Sequence, residues 1–514
     1  MGLNPNVLKN AMKRYSRWAR AYPALSDHIL LNVDGLASTD DEYYSVWKDA
    51  ILDITGDTSD QGKLRTIIRK MVLGLQRPNS LEGARAVDCL AGLARLMPAI
   101  AGGGKHGLLF TCLETCFPFW KSPAMEAQFS AYVDNLLSLA KALGYPATES
   151  IFELIISRAV EMDIALHSGL ENAISAANVP AAAPSTFTLR PSEAFSTGSF
   201  DEFYQPDSLQ QPFPCDSLEQ SSFCRKKLYN LLETFLIFFE ANESQMHEFG
   251  LSLIRIFDRT VLPALYCSRV TVLLAFAACK DAAVADKLLG YLLAVLFNRD
   301  PHVGASLKGR LPSANQGPAT LMAISSYIRS FCVHLTCVSD TLLQSSVELL
   351  LIFCARKTEL MSAGRQISSP VQSATAVRKT SWLNESATDR SIVVSAFCAF
   401  LHLTMAHSET LRPLIVDQST QMTLQQLVQS PLLLIESCPK ELWTQFVDTF
   451  SYNIDSPSTV LSLESNQQHN LRPSSPLLSL YLSEGFESAD PFMPIPELAN
   501  LIPSAFYRLP ECNK

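Results

Sequence analysis

The sequence predicts an all-α fold, a HEAT-like helical-repeat solenoid with long flexible loops, on three observations. Apolar residues recur at helical spacing along most of the chain. The helical segments are about 12 to 20 residues long and come in pairs about 40 residues apart, so each pair has to bury its face against the next. No series of alternating apolar and polar segments bounded by hairpin turns is present, which leaves little from which to build a sheet.

The first element is a helix near the start of the chain. Lys9, Lys13, Arg17 and Arg20 form a basic stripe on it, opposite Val7, Ala11, Tyr15, Trp18 and Tyr22. Two readings stand side by side: a solvated face over a buried aromatic stripe, or a contact with an acidic protein or a phosphate chain. Residues 81–97 place Leu90, Leu93 and Met97 on one face. Residues 125–143 do the same with Phe129, Tyr132, Leu136, Leu139 and Leu143. Gly144-Tyr145-Pro146 supplies a terminator and a turn, and Thr148 is placed to cap the next helix, over 148–165. These helices form an N-terminal unit, residues 1–165. A linker or long loop is expected over 166–220, where Ala-Ala-Pro runs, serines and scattered prolines gather from 178 onward.

A central unit follows at 221–356, with helices expected at about 222–240, 244–261, 268–280, 284–298, 319–337 and 340–356. Pro263 and Pro301 sit just past helix ends, where proline stops a helix cheaply. A Gly/Pro/Ser loop is expected at 303–318 and a flexible loop at 357–387. The C-terminal unit, 388–514, holds helices at 388–407, 421–435 and 439–450. A flexible segment at 452–478 precedes a proline-rich tail, from 489, that packs without much regular structure.

Composition narrows the function. Of 514 residues, 47% are apolar, which is core material and too much for a disordered chain. Only 18% are charged, so some apolar surface is expected to be covered by partners. The net charge of -9 argues against strong direct DNA binding, which needs concentrated Lys and Arg. The 13 cysteines are scattered through apolar runs with no two separated by two residues, the pattern of buried thiols in a reducing compartment. The apolar runs 228–239 and 342–354 are too short for a bilayer, so no membrane association is expected.

No catalytic site, cofactor site or metal site is expected. AGGGKH at 101–106 lacks the four-residue spacer and the Ser/Thr of a phosphate loop. Cys112 and Cys116 share a helix face, but no fourth zinc ligand has convincing spacing to them and to His106, so they read as core. No His-Glu-x-x-His or Gly-x-Ser-x-Gly occurs, and the carboxylates are scattered. What remains is a protein that works by presenting surfaces. Hydroxyls beside proline or basic residues offer phosphorylation sites: Ser369, Ser456 and Ser475 each precede a proline, and Thr380 and Ser381 follow Arg378-Lys379. Ser150, Ser157, Ser325 and Ser326, in or beside helices, are expected at the surface as regulatory positions.

Three motifs sharpen this reading. EFGLSLIRIFDRTVLP at 248–263 contains Phe257, Asp258, Val261, Leu262 and Pro263 in a Phe-Asp-x-x-(two apolar)-Pro pattern. Ala323 to Phe331, with Tyr327, Ile328, Ser330 and Phe331, follows an Ala-x-x-x-Tyr-Ile-x-Ser-Phe pattern. Pro491, Phe492 and Pro494 belong to a run of aromatic residues and prolines followed by Leu498. In order and spacing these resemble the RNA polymerase I-specific transcription initiation factor family, over about 222–508; the acidic tract usual in that family has no equivalent here. The resemblance implies a HEAT-repeat body without enzymatic activity, acting in the nucleus and nucleolus. It implies RNA polymerase I subunits on one face, promoter core-factor proteins on another, control by phosphorylation, and homodimers in some members. The alternative is a helical-repeat scaffold or transport adaptor unrelated to transcription. In either case Phe257, Tyr327 and Phe331 are expected to anchor the core.

Overall fold

The computed structural model describes residues 61–101, 107–178, 218–297, 318–367 and 376–450 with a few short breaks, and isolated residues elsewhere, among them Tyr44, Lys48, Phe492, Leu498, Ile502, Phe506 and Tyr507. The basic stripe of Lys9, Lys13, Arg17 and Arg20 lies outside the described residues, as do Ser369, Ser456, Ser475, Pro491 and Pro494. Among the described residues every regular element is helical; the only strand-like pairing is a single antiparallel bridge between Leu335 and Tyr507.

Among the described residues the longer helices of the N-terminal part are α1 Gln61–Gly74, α2 Ser80–Leu96, α3 Leu108–Thr115, α4 Glu126–Leu143 and α5 Ala147–Asn178, with a single helical turn at Pro98–Ala101. Each buries the face its sequence marks. In α4, Phe129, Tyr132, Leu136 and Leu139 are all buried. Gly83 of α2 lets α4 come close: a β-carbon there would fall 2.3 Å from Asn135, whose amide donates to the Leu75 carbonyl at 2.9 Å. Gly144 ends α4 with φ +69°, a conformation that costs glycine little, and its N–H reaches the Ala140 carbonyl. Thr148 does not cap α5. It lies inside the first turn, and its hydroxyl donates back to that same Ala140 carbonyl at 3.0 Å, tying the two helices together. Nor does α5 stop at 165. It continues to Asn178 through small and polar residues that carry little apolar period.

The chain resumes with α6 Leu218–Ala241, then α7 Met246–Ile256, α8 Val272–Lys280, α9 Ala282–Phe297 and α10 Pro318–His334. Next come α11 Asp340–Ile367, α12 Ala376–Ala406, α13 Ser408–Val416, α14 Gln418–Val428 and α15 Lys440–Phe450. Much of the expected loop at 357–387 is therefore helix. Its serines, threonines and basic residues suppress the apolar period without forbidding helical backbone. The single segment expected at 421–435 is preceded by α13, which carries Pro413 inside it. Asp417 separates α13 from α14 by accepting the N–H groups of Ser419 and Thr420, an N-cap.

Helices pack mainly on those one to three steps away in the chain, the signature of stacked repeats. The core does not break between the N-terminal and central parts. Phe152 of α5 meets Phe235 and Phe239 of α6 and Phe249 of α7 edge-on, at 5.3, 5.9 and 5.4 Å between ring centres. Lys227 of α6 is buried, and its ammonium donates to the Trp120 and Ser122 carbonyls, both at 2.9 Å. It also lies 4.3 Å from the centre of the Phe223 ring. Residues 389–406 of α12 are apolar enough to cross a membrane, but here they are enclosed by α10, α11 and α15.

Candidate functional site

The three motifs meet. After Ile256 the helix widens by one residue, so that the Leu262 N–H bonds to the Phe257 carbonyl, five residues back, at 2.8 Å. Such wide turns are rare and often sit at functional positions. Here the turn sends Asp258 inward, where it is buried and accepts a short hydrogen bond from the Tyr291 hydroxyl of α9. Pro263, exposed just beyond, has no N–H with which to continue the helix. Phe257 is buried and meets the Tyr327 ring of α10 at 88° and 5.0 Å.

Tyr327 carries the contact onward. Its hydroxyl donates to the Cys267 carbonyl at 3.3 Å, and the Cys267 thiol donates to Asp163 Oδ2, also at 3.3 Å. Asp163, fully buried on α5, pairs with the Arg269 guanidinium at 2.7 Å and accepts the Arg269 N–H at 2.7 Å. Burial, followed by the Cys267 sulfur and then the charge of Asp163, pushes the Tyr327 phenol well above its ordinary range. Burial and then Asp163 push the Cys267 thiol up as well. Both groups are therefore neutral, and the only charges in the cluster are the paired Asp163 and Arg269. This is a tie between α5, the segment that leads into α8, and α10, and it offers no activated nucleophile.

The third motif closes the junction from far along the chain. The Phe492 ring stands 6.1 Å from Tyr327 and 5.3 Å from Phe331, and its backbone N–H donates to Ser330 Oγ at 2.8 Å. Farther on, the Thr336 N–H donates to the Phe506 carbonyl at 3.0 Å, and the Phe506 ring packs 5.9 Å from Phe276 of α8. Leu498, Ile502 and Tyr507 are buried too. The motif residues that the structure describes are thus interior, Pro263 excepted. They shape the body that carries the outer faces. Tyr291, Asp163 and Arg269 are equally part of this assembly. Sequence reading misses them because no local pattern links residues so far apart.

The regulatory positions divide. Ser150 and Ser157 of α5 are half-buried, and the Ser157 hydroxyl donates to the Glu153 carbonyl at 2.7 Å. Ser325 and Ser326, expected at the surface, are buried, as is every residue from Leu321 to Ile328. The reason is that α10 lies between α9 and α12, so that even its polar positions face protein. Thr380 and Ser381 fall within α12. Beside Ser150 lies an exposed ionic cluster: Glu149 receives Arg255 at 2.7 Å and a short contact from Arg259. Burial raises the Glu149 carboxyl, but the hydrogen bonds and charges of Arg255 and Arg259 outweigh it and hold the group below its ordinary range.

Among the described residues no group of three or more His, Cys, Asp or Glu is placed to hold an ion. Cys112 and Cys116 are buried thiols, with Cys112 pushed up to about 11 by burial.

Comparison with known proteins adds the following. A family model described as "RNA polymerase I specific transcription initiation factor RRN3" matches residues 33–472. The chain is similar to the solved structure titled "Crystal Structure of RNA Polymerase I Transcription Initiation Factor Rrn3", with a TM-score of 0.64 and 14% sequence identity. The match covers 98% of this chain and 90% of that one, and at this identity it speaks to the fold. No curated protein sequence matches the chain.

Proposed function

Because the chain belongs to the RNA polymerase I-specific transcription initiation factor family, we propose that it joins polymerase I to promoter-bound core factors and does so as a non-enzymatic bridge. The observation that carries this is the family match across residues 33–472, which takes in every helix described above. The geometry supports it. The family motifs are spent on internal ties, which leaves the outward helix faces for contact. At the motif junction the Tyr327 phenol and the Cys267 thiol are neutral and Asp163 is paired with Arg269. The family's task places the protein in the nucleus, and the nucleolus follows from where polymerase I works. In this reading separate stretches of the solenoid meet polymerase I subunits and core-factor proteins, and the chain also forms a homodimer. Phosphate on Ser150, next in the chain to Glu149 of the Glu149–Arg255–Arg259 cluster, or on Ser157 two turns farther along α5, weakens polymerase binding by adding negative charge to this helix. Ser369, Thr380, Ser381, Ser456 and Ser475 are further sites for such control.

The test is reconstituted initiation on a ribosomal promoter with polymerase I and core factors. Adding the purified chain is expected to restore correctly started transcripts and to hold both partners in one complex. A chain that binds neither partner, or that starts nothing, removes the proposal and leaves a scaffold of another kind.

A further inference from the structure

Among the described residues there are eleven cysteines, all of them thiols, and nine are buried. The two that are only half-buried, Cys279 and Cys337, meet at one point of the fold. Cys279 stands near the C-terminal end of α8, and Cys337 in the turn between α10 and α11. One acceptor locates both. The Phe506 carbonyl receives the Thr336 N–H at 3.0 Å and the Cys279 thiol at 3.8 Å, so the residue next to Cys337 and the Cys279 sulfur converge on the same oxygen. The two thiols also hydrogen-bond to each other. Beside them Tyr507 pairs with Leu335 in the antiparallel bridge that holds the tail. A second pair of thiols differs in one respect. The Cys398 and Cys438 sulfurs are 3.5 Å apart, but both residues are buried. Nearness is common to the two pairs, and access to solvent belongs to Cys279 and Cys337.

We propose that Cys279 and Cys337 are a modification site, at which a small hydroperoxide converts the two thiols to a disulfide and a dithiol reductant returns them. The balance is simple. The Cys337 sulfur attacks one peroxide oxygen, the O–O bond breaks, and a sulfenic acid and one water result. The Cys279 sulfur then attacks Cys337, the S–O bond breaks, and the second water leaves as the S–S bond forms. Two thiols and one hydrogen peroxide thus give one disulfide and two waters. The order follows from the proton. The hydrogen bond with Cys337, and then burial, push the Cys279 thiol up, so Cys279 keeps its proton and the first attack falls to Cys337. The bond fastens α8 to the turn between α10 and α11. It takes the Cys279 proton away from the Phe506 carbonyl, which keeps the Thr336 N–H. The tail therefore stays held through its backbone while the two elements beneath it lose their freedom to part. In a reducing compartment such a bond is transient, the usual form of an intracellular disulfide. This inference stands independently of the bridging role.

The experiment treats the folded, full-length protein with hydrogen peroxide, blocks the remaining thiols with iodoacetamide, and maps the peptides by mass spectrometry without reductant. It is run on the parent and on C215S/C512S, which removes the two cysteines outside the described residues. A peptide pair joined through Cys279 and Cys337 is expected in both, with loss of those two free thiols and their return on addition of dithiothreitol. Cys398 and Cys438 are expected to stay unlinked until the protein is unfolded. Hydrogen exchange over residues 272–280 is expected to slow in the oxidised form. In C279S the link cannot form, and dimedone is expected to trap the sulfenic acid on Cys337. The proposal is overturned if Cys279 and Cys337 stay reduced or pass to sulfinic acid without a link. It is overturned equally if Cys398 and Cys438 join first, if dithiothreitol does not reverse the link, or if Cys337 in C279S takes up no dimedone.

Discussion

The backbone N–H of Phe492 donates to the hydroxyl of Ser330 at 2.8 Å, away from solvent and across 162 residues of chain. Main-chain N–H groups in a protein interior need an acceptor, and here a small side chain on a central helix provides it. Ser330→Ala is expected to destabilise the protein by about 1–3 kcal/mol, the cost of leaving a buried donor unpaired. Phe492→Ala is expected to cost about 3–5 kcal/mol through the cavity left against Tyr327 and Phe331. Denaturant unfolding of the two variants checks both values. Melts indistinguishable from the parent would show that the tail is not held there.

Tyr291→Phe removes the phenol that donates to Asp258 and leaves the ring in place. A loss of about 1–2 kcal/mol is expected from this charge-assisted hydrogen bond, with the helical content unchanged. Asp258→Asn, which can still accept from Tyr291, is expected to cost less than the larger change Asp258→Leu. Circular dichroism with chemical denaturation separates the three variants. The reverse order would mean that the wide turn, and not the hydrogen bond, sets the energy.

Lys227→Met keeps the length and apolar body of the side chain but strands the carbonyls of Trp120 and Ser122. A cost of about 2–4 kcal/mol is expected for two buried acceptors losing a charged donor. Hydrogen exchange around residues 117–122 should rise before the rest of the molecule opens. A variant as stable as the parent would show that these carbonyls find water instead.

The Glu149 cluster should give a pH signature. A carboxyl held below its unfolded value contributes stability that is fully present above about pH 4.3 and is lost as the pH falls through the lower folded value. Glu149→Gln is therefore expected to destabilise modestly at neutral pH, by about 1 kcal/mol or less since both arginines are substantially exposed. The gap should close as the solution is acidified below pH 4. A gap that stays constant down to pH 3 would place the effect in packing.

Aspartate at the serines should separate burial from contact. Ser325→Asp and Ser326→Asp place a carboxylate inside α10 and are expected to lower the melting temperature sharply, because a buried unpaired charge costs several kcal/mol. Ser150→Asp and Ser157→Asp are expected to change the melt little and, on the bridging reading, to weaken polymerase binding about tenfold or more. Thermal melts beside pull-down of polymerase I decide the matter. Lost binding with an unchanged melt supports the contact, and unchanged binding removes it.

Much of this fold is legible in the sequence, for a physical reason. Where a helix is half-buried, its apolar residues must repeat at the helical period, and α4 announces itself through Phe129, Tyr132, Leu136 and Leu139. The period fails at two extremes. The far end of α11 and the start of α12 are helical without an apolar stripe, so polar composition suggests a loop where backbone hydrogen bonding continues. At the other extreme α10 is covered on all sides over 321–328, so Ser325 and Ser326 are hidden by neighbours that no local pattern reveals. Of the motif residues, Phe257, Tyr327 and Phe331 can be placed in the core from spacing alone. That they converge with Phe492, and that Asp163 and Arg269 stand behind them, depends on contacts across more than a hundred residues.

The junction also constrains how such sequences can diverge. Phe257, Tyr327, Phe331 and Phe492 share one closed space, so no one of them can change volume by itself at small cost. Among related chains a shrinking side chain at one of the four should travel with a growing one at another. Ser330 should change only together with the backbone path of the tail. Substitutions on the outward faces meet no such constraint from this junction. An alignment deep enough to measure covariation should therefore link these distant columns to one another more tightly than either is linked to its immediate neighbours in the chain.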